Sequence, residues 1–592
     1  MEAVDLVQLE NRGVRSLMSN GKLSDNAVTV AESRYFMEGE DWEACTNRVG
    51  RVVASRENSH TFEYANKFSE MIFNLDFLPG GRILRNAGRQ AGSLFNCYHL
   101  PIGDSRKEIG DFYRDSLILW GEGGGVGVNI SSLRPKGAVI KTAGGFSSGP
   151  VSFLEASDGI AKTIESGGAR RAAALALMHI THPDVMRFID AKIEHGRLPH
   201  YNISVAVTDE FLEAVESDDE WEFKFAHKSY GEMKAQAIWN KIVENMVKFA
   251  EPGLLNWNNL IKNNSYYYDP VMGTNPCGEA VLAPYDVCDL GSLVLTNFIT
   301  GTVNTNWKKL GEVIRLAVRF LDDVIDVNKY TLQEIEIKAH NSRRTGLGVM
   351  GLAEYLFAKG LRYGSDKAII EVEKLMRFIR DNVYETLVEL AQEKGSFPKF
   401  DPVPYGKASF IRKLPASLRM AIKEHGVRCV TGLAIAPTGT ISLLADVNSG
   451  IEPLFRKAYL RKDRISERMY VHPIYKELLK SGKKIPDWYV DTDDLKPADH
   501  FEVQAIVQKY VDGAVSKTIN MPATTTPKQL SKLTLEYIHD LKGVTVYVDG
   551  SREGQVLNKV TKAEVEKHLK ENKVKESADI EAVKCATGSC EM

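Results

Sequence analysis

Thr274-Asn275-Pro276-Cys277-Gly278-Glu279 is the stretch on which the reading of this chain turns. Pro276 disfavours helical backbone at Asn275 and pushes it toward an extended conformation. If the segment is extended, side chains alternate, and Asn275, Cys277 and Glu279 point to the same side. An amide, a thiol and a carboxylate would then meet at one point. The same composition also suits a polar surface turn, and spacing alone leaves both readings open.

Working outward, the seven cysteines stand at positions 45, 97, 277, 288, 429, 585 and 590. They form no CxxC pair and no Cys/His cluster at zinc spacing, so no metal-ligand set is visible. Cys45, inside an amphipathic N-terminal region, and Cys429, inside an apolar run read as a strand, suit small buried hydrophobes. Cys585 and Cys590 end the chain with only small residues between them (Ala586, Thr587, Gly588, Ser589). Two exposed thiols on a flexible arm suit disulfide exchange with a buried partner.

Two loops flank this set. Gly121-Glu122-Gly123-Gly124-Gly125-Val126-Gly127 supplies neither GxGxxG nor a P-loop, and reads as a tight turn with close backbone approach. Ala436-Pro437-Thr438-Gly439-Thr440-Ile441-Ser442 is rich in hydroxyls and backbone donors. Before a helix start it could hold a phosphate without net charge.

The rest of the chain is ordinary globular sequence. Its 592 residues are 43% hydrophobic and 26% charged, which excludes disorder as the dominant state. The formal charge of −3 gives no global case for nucleic-acid or membrane binding, while leaving room for a local anion pocket. The N-terminus has acids where a signal peptide has bases, and the most apolar run, Ala172 to Met178, is too short to span a bilayer. A cytoplasmic chain is expected.

Residues 1–75 read as a small helical region, with Phe62, Ala65, Phe68 and Ile72 at helical spacing. From Leu78-Pro79-Gly80-Gly81 the texture changes to Gly-rich turns between short apolar runs, as in an α/β domain. Residues 312–326 form an amphipathic helix whose stripe is Val313, Ile314, Ala317, Phe320, Leu321 and Val324, with the charges facing away. Residues 430–444 read as strand, Gly/Pro loop, then strand or helix, and 543–552 as a strand running into a turn. A helix and a mobile tail follow from about 561.

Taken together, these residues resemble the catalytic subunit of ribonucleotide reductase. The pieces are Asn275-Pro-Cys-Gly-Glu279, Cys288-Asp-Leu-Gly-Ser292, Arg343-Arg-Thr-Gly-Leu-Gly-Val-Met-Gly351, Pro437-Thr-Gly-Thr-Ile441 with Asn448-Ser-Gly-Ile-Glu-Pro453, and the terminal cysteine pair. The resemblance implies a ten-stranded α/β barrel of two parallel five-stranded halves around a central finger loop, over residues 76–560. The redox-active tail would be 561–592. Cys277 would carry a transient thiyl radical, Glu279 act as base on the 3′ hydroxyl, and Asn275 hold the substrate hydroxyls. Cys97 and Cys288 would supply reducing equivalents. Cys585 and Cys590 would restore them and be reset by thioredoxin or glutaredoxin.

Gly125 and the loop Pro437, Thr438, Gly439, Thr440 and Ile441 match substrate contacts for a ribonucleoside diphosphate or triphosphate. Asp104, Ser105, Arg106, Arg134 and Lys141 fall where the family binds a nucleoside triphosphate effector. A homodimer is the assembly the resemblance allows. Two departures bear on the ribose contacts: Asn96 stands where many relatives have a small hydroxyl residue, and Gly80-Gly-Arg-Ile-Leu84 replaces a stretch that often carries a Thr.

The radical source follows from what the resemblance lacks. The clustered tyrosines, Tyr266, Tyr267 and Tyr268, lie upstream of Cys277, where a relay pair does not belong, and the C-terminal strand offers Tyr547 alone. No glycyl-radical motif is visible. Ala514-Val-Ser-Lys-Thr-Ile-Asn-Met-Pro522 and Tyr547-Val-Asp-Gly-Ser-Arg552 look like the adenosylcobalamin-dependent class. The alternative is the large subunit of an oxygen-dependent two-component reductase. A non-catalytic nucleotide-binding regulator would need none of the cysteines.

Overall fold

Short apolar runs separated by Gly-rich turns build the first half of the molecule. In the computed structural model, Cys97–His99 (β1), Gly125–Asn129 (β2), Ala173–His179 (β3), Tyr201–Val207 (β4) and Gly253–Asn256 (β5) run parallel, each beside the next. Ala174 to Met178 are all buried, as expected of a parallel strand covered on both faces. The structure describes residues 23–571 apart from 142–143, 167–169, 195, 302, 463–466 and 552–556.

The second half runs the other way. Asp286–Val294 (β6) is antiparallel to β1 and parallel to Thr345–Met350 (β7). Thr518–Met521 (β8) is parallel to Gly543–Val548 (β9), which is antiparallel to β5. With the short strand Phe77–Pro79 beside β6, these form one ten-stranded sheet. The run before residue 437, read from sequence as a strand, is no regular strand. It makes two parallel bridges, Leu347 to Leu433 and Ile435 to Val515. Through them it draws β7 and the residues just before β8 together, so the sheet's two ends approach each other around the loop that carries Cys277. Thr438 to Leu444 then bears out the helical alternative, with a helix over Gly439–Leu444.

Among the described residues, the helices Asp25–Arg34 (α1), Trp42–Val53 (α2) and Thr61–Phe73 (α3) build the N-terminal region. Ser24 and Asp41 cap the first two by accepting from Ala27 N and Ala44 N. Ala65, Phe68 and Ile72 are buried, and Phe68 meets Phe320 edge-on at 5.2 Å. Phe62 does not join them: it sits in the first turn of α3 and is 80% exposed.

Trp307–Val327 (α4) is the expected helix, and all six stripe residues are buried. Its charges do not all face away. Asp322 and Asp323 are fully buried because distant basic residues reach them. Arg343 Nε and Arg428 Nε donate to Asp322 at 2.7 and 3.0 Å, and Lys394 Nζ donates to Asp323 at 2.6 Å. Burial of these carboxylates depends on that pairing. Cys45 and Cys429 are buried as expected, but Cys429 lies in irregular backbone rather than a strand, 3.7 Å from Asp322 Oδ1. A helix over Lys562–Glu571 ends the described chain. Among the described residues no helix is long and apolar enough to cross a membrane.

Candidate active site

The loop bearing Cys277 rises as a hairpin, with Gly273–Thr274 pairing antiparallel with Val281–Leu282. Of the two readings the sequence leaves open, the tip takes the turn and is not extended. Gly278 N donates to Asn275 O at 3.1 Å and Gly278 has φ +82, so residues 275–278 form a tight turn. Asn275 Oδ1 accepts from Ala280 N at 2.9 Å, which braces the turn from inside. The turn buries Asn275 and Glu279 completely and leaves Cys277 and Gly278 partly exposed.

The convergence the sequence suggested therefore occurs at a different sulfur. Asn275 Nδ2 lies 3.1 Å from Cys97 Sγ, and Cys97 Sγ lies 3.6 Å from Glu279 Oε1. Cys97 on β1 stands directly across from Cys288 on β6 in the antiparallel register. Facing positions of such a pair bring Cα atoms to about 4.5–5.5 Å, within the span of a disulfide. Both thiols are buried among Ala280, Leu282, Leu290, Ala434 and Ala436. Burial holds both well above the ordinary thiol range, and for Cys97 the neighbouring Glu279 and Cys288 push the same way. They are thus kept as S–H groups.

Burial also raises the Glu279 carboxyl to about 7, against the opposing hydrogen bonds of Asn275 and Cys97. Its Oε2 is buried with no hydrogen-bond partner among the described residues, an acceptor position left for a hydroxyl. The Glu279 carbonyl is held separately, by Ala514 N at 2.7 Å.

Two glycines of β2 let the loop approach. A Cβ on Gly127 would stand 1.9 Å from the Thr274 carbonyl oxygen, and one on Gly125 would stand 2.9 Å from the Pro276 ring. Asn129 Nδ2 ties the base of the loop to the same strand through Met272 O at 2.9 Å. Gly127 had no assigned role in the sequence reading. Its signal was the pair of glycines two residues apart, which fall on one face of a strand.

Cys277 opens on a cleft of about 70 Å³, shared with Ser204, Gly253, Ser516, Lys517 and Thr545. On another side a narrow cavity lies between Gly80, Gly81, Asn96, Ser292 and Pro437, Thr438 and Ile441. Thr438 N donates to Ser449 Oγ at 2.9 Å and Gly450 N to Thr438 Oγ1 at 3.0 Å, so the Asn448–Pro453 motif braces this loop. Asn96 Oδ1 and Thr440 Oγ1 are buried without partners among the described residues.

The five effector candidates divide. Arg134 Nε donates to Asp104 Oδ2 at 2.7 Å and Arg134 N to Asp104 Oδ1 at 2.9 Å. Ser105 caps the helix Arg106–Gly121, accepting from Glu108 N. Arg106 and Lys141 are exposed, and no contact joins them to the Asp104–Arg134 pair among the described residues. Cys585 and Cys590 lie outside the described residues. Among those described, no group of His, Cys, Asp and Glu is placed to hold a metal ion.

Comparison with known proteins bears on the fold. Residues 95–547 match the barrel domain of ribonucleotide reductase, and residues 21–92 match its all-alpha domain. The chain belongs to the ribonucleotide reductase family. It is 35% identical to the vitamin B12-dependent ribonucleoside-diphosphate reductase of Mycobacterium tuberculosis, over 91% of this chain and 81% of that protein. The protein of the same name from Thermoplasma acidophilum is 34% identical over 83% of this chain and 66% of its own length. The ribonucleoside-diphosphate reductase subunit alpha of Chlamydia trachomatis is more distant, at 26% over 76% of this chain and 48% of that protein.

Proposed function

We propose that this chain reduces ribonucleoside diphosphates to their 2′-deoxy forms by thiyl-radical chemistry, with adenosylcobalamin as the radical source. The observation that carries the reading is the convergence of Asn275 and Glu279 on Cys97, with Cys288 facing it across the strands. The names of the mycobacterial and Thermoplasma relatives support the cofactor and the diphosphate.

The cleft beside Cys277 fits such a group in one respect. Gly278, beside Cys277, has open space around it, so although the cleft itself, at about 70 Å³, would not enclose a corrin, a group docked at its mouth can approach the thiol. Ser204, Ser516 and Thr545 would hold it. Adenosylcobalamin, when bound, supplies a carbon-centred radical by homolysis of its cobalt–carbon bond.

Cys277, oxidised to the thiyl, takes the hydrogen atom from the ribose 3′ carbon. Glu279 accepts the 3′ hydroxyl proton, and Asn275 orients the hydroxyls. The 2′ hydroxyl leaves as water, a C–H bond replaces the C–O bond, and the Cys97 and Cys288 thiols become a disulfide. Cys277 returns the hydrogen atom at the end. Raised thiol proton affinity suits Cys97 and Cys288 as hydrogen donors, and the enclosed barrel interior keeps water from the radical.

Gly125 and the loop from Pro437 to Ile441 bind the substrate. Asp104, Ser105, Arg106, Arg134 and Lys141 take a nucleoside triphosphate effector. Cys585 and Cys590 then reduce the internal disulfide, with thioredoxin or glutaredoxin as the external reductant. A helical region over 1–75, a barrel over 76–560, a redox tail over 561–592, a homodimer and a cytoplasmic location complete the proposal. The test is reduction of a ribonucleoside diphosphate by the purified chain alone, anaerobically, with a dithiol. Turnover should require adenosylcobalamin, and turnover only after addition of a metal-containing second subunit would overturn the assignment.

A further inference from the structure

Away from the Cys277 cleft, a second opening of about 480 Å³ lies beside the start of β9. Its most buried charged side chain is Lys542, 2% exposed. Lys542 Nζ donates to the carbonyl oxygens of Asp512 and Gly513, at 2.6 and 2.7 Å. No carboxylate lies within ion-pair distance of it among the described residues. An ammonium has three N–H donors, so one remains after the two carbonyls are served.

Lys262 and Lys413 also line the cleft, and neither has a carboxylate partner among the described residues. The other charges there are accounted for. Lys509 is held by Glu373 at 2.9 Å, His539 lies 3.5 Å from Asp209, and Asp540 is the one acid of the lining. Burial pulls the Lys542 ammonium down to about 7. Arg344 and Lys413 push the same way, and the Asp512 carboxylate opposes them. Arg344 is paired with Asp286 at 3.0 Å and Asp512 offsets part of the charge, but Lys413 has no carboxylate partner among the described residues, so the cleft keeps an excess of positive charge.

We propose that this cleft binds a compact oxyanion of the phosphate class, held by Lys542 at its floor and by Lys262 and Lys413 at its rim. The site is separate from the substrate loop at 437–441 and from the Asp104–Arg134 pair. It also backs onto the reaction centre. The two carbonyls that Lys542 grips belong to Asp512 and Gly513, and the next residue, Ala514, donates to the Glu279 carbonyl. The anion would thus sit one side chain away from the irregular segment 512–514 that seats the proposed base.

The experiment is equilibrium dialysis of the full chain with labelled inorganic phosphate. It is done in a Thr438→Val/Arg134→Ala background, which weakens the substrate and effector phosphate contacts. One phosphate per chain should remain, and adding Lys262→Ala and Lys413→Ala together should weaken it at least tenfold. Lys542→Met should do the same; if that variant does not fold, the two exposed rim changes still decide. Sulfate, whose charge is constant across neutral pH, is the probe for titration. Its affinity should fall as pH rises through about 7 and Lys542 loses its proton. Adenosine monophosphate competing better than phosphate would identify a phosphate ester as ligand, and equal or weaker competition the inorganic ion. Absence of binding in the background variant, or binding that the rim changes leave unaltered, would overturn the proposal.

Discussion

Replacing Gly127 with alanine should disable the reaction without unfolding the protein. Gly127 lies on β2 with ordinary strand backbone, so the added methyl carries no conformational penalty of its own. The cost is entirely one of space. The new Cβ would stand 1.9 Å from the Thr274 carbonyl oxygen and 3.0 Å from its carbon, about 1.5 Å short of an ordinary contact. The obstructing atom is backbone, fixed by the pairing of Thr274 with Val281, so no side chain can rotate out of the way. The hairpin must lift as a unit, and its tip carries Asn275, Cys277 and Glu279. Displacements of about 1 Å in a reacting constellation cost on the order of 100-fold in rate. Overpacking of this kind costs about 1–3 kcal/mol of stability. Steady-state reduction with adenosylcobalamin and a dithiol should therefore show kcat reduced about 100-fold, beside a modest fall in Tm and unaltered effector binding. Gly125→Ala should be milder, since its obstruction at 2.9 Å is the edge of the Pro276 ring. A Gly127→Ala protein with normal kcat would refute the claim that β2 sets the height of the loop.

Glu279 should give kcat/KM an acid limb near pH 7, activity rising as the carboxyl ionises. Because its folded value is raised from 4.5 to about 7, the folded state holds the extra proton and stability falls as pH rises across that window. Glu279→Gln should abolish both the limb and that fall, as read by pH–rate profiles and by melting at several pH values. Cys288→Ser should lose even the first turnover of pre-reduced enzyme. Cys585→Ser with Cys590→Ser should keep that turnover and lose multiple turnover with thioredoxin, which rapid-quench measurements separate. Arg134→Ala should weaken effector binding about ten- to a hundredfold by equilibrium binding, the loss of one charge-assisted contact.

What the sequence made legible was periodic or local. The stripe from Val313 to Val324 placed α4 because an apolar face at helical spacing has few other uses. Asp322 and Asp323 on the same helix were misjudged because their partners, Arg343, Lys394 and Arg428, are remote in sequence. The conformation of the finger-loop tip stays open in the sequence for a related reason. Pro276 argues for extended geometry locally, but Gly278 at φ +82 and the Asn275 bridge to Ala280 turn the chain. The consequence is chemical. The amide and carboxylate reach Cys97, supplied by another strand, and Cys277 is left facing the cleft. The facing of Cys97 and Cys288 depends on strand register, which two cysteines far apart in sequence do not encode locally. The run ending at Ile435 was read as a strand for its apolar residues, whereas it crosses between two sheet ends with only two bridges.

The central claim is that Cys277 is the residue that opens the substrate. It is tested most directly by Cys277→Ser, which exchanges sulfur for oxygen at a partly exposed turn position and leaves the Asn275–Cys97–Glu279 contacts in place. The measurement is deoxyribonucleotide formation by the purified variant with adenosylcobalamin, reductant and effector, alongside its affinity for substrate. The account predicts substrate binding close to that of the unaltered chain and no detectable product, because a serine O–H bond is too strong to yield the radical. Deoxyribonucleotide formed by the variant would contradict it.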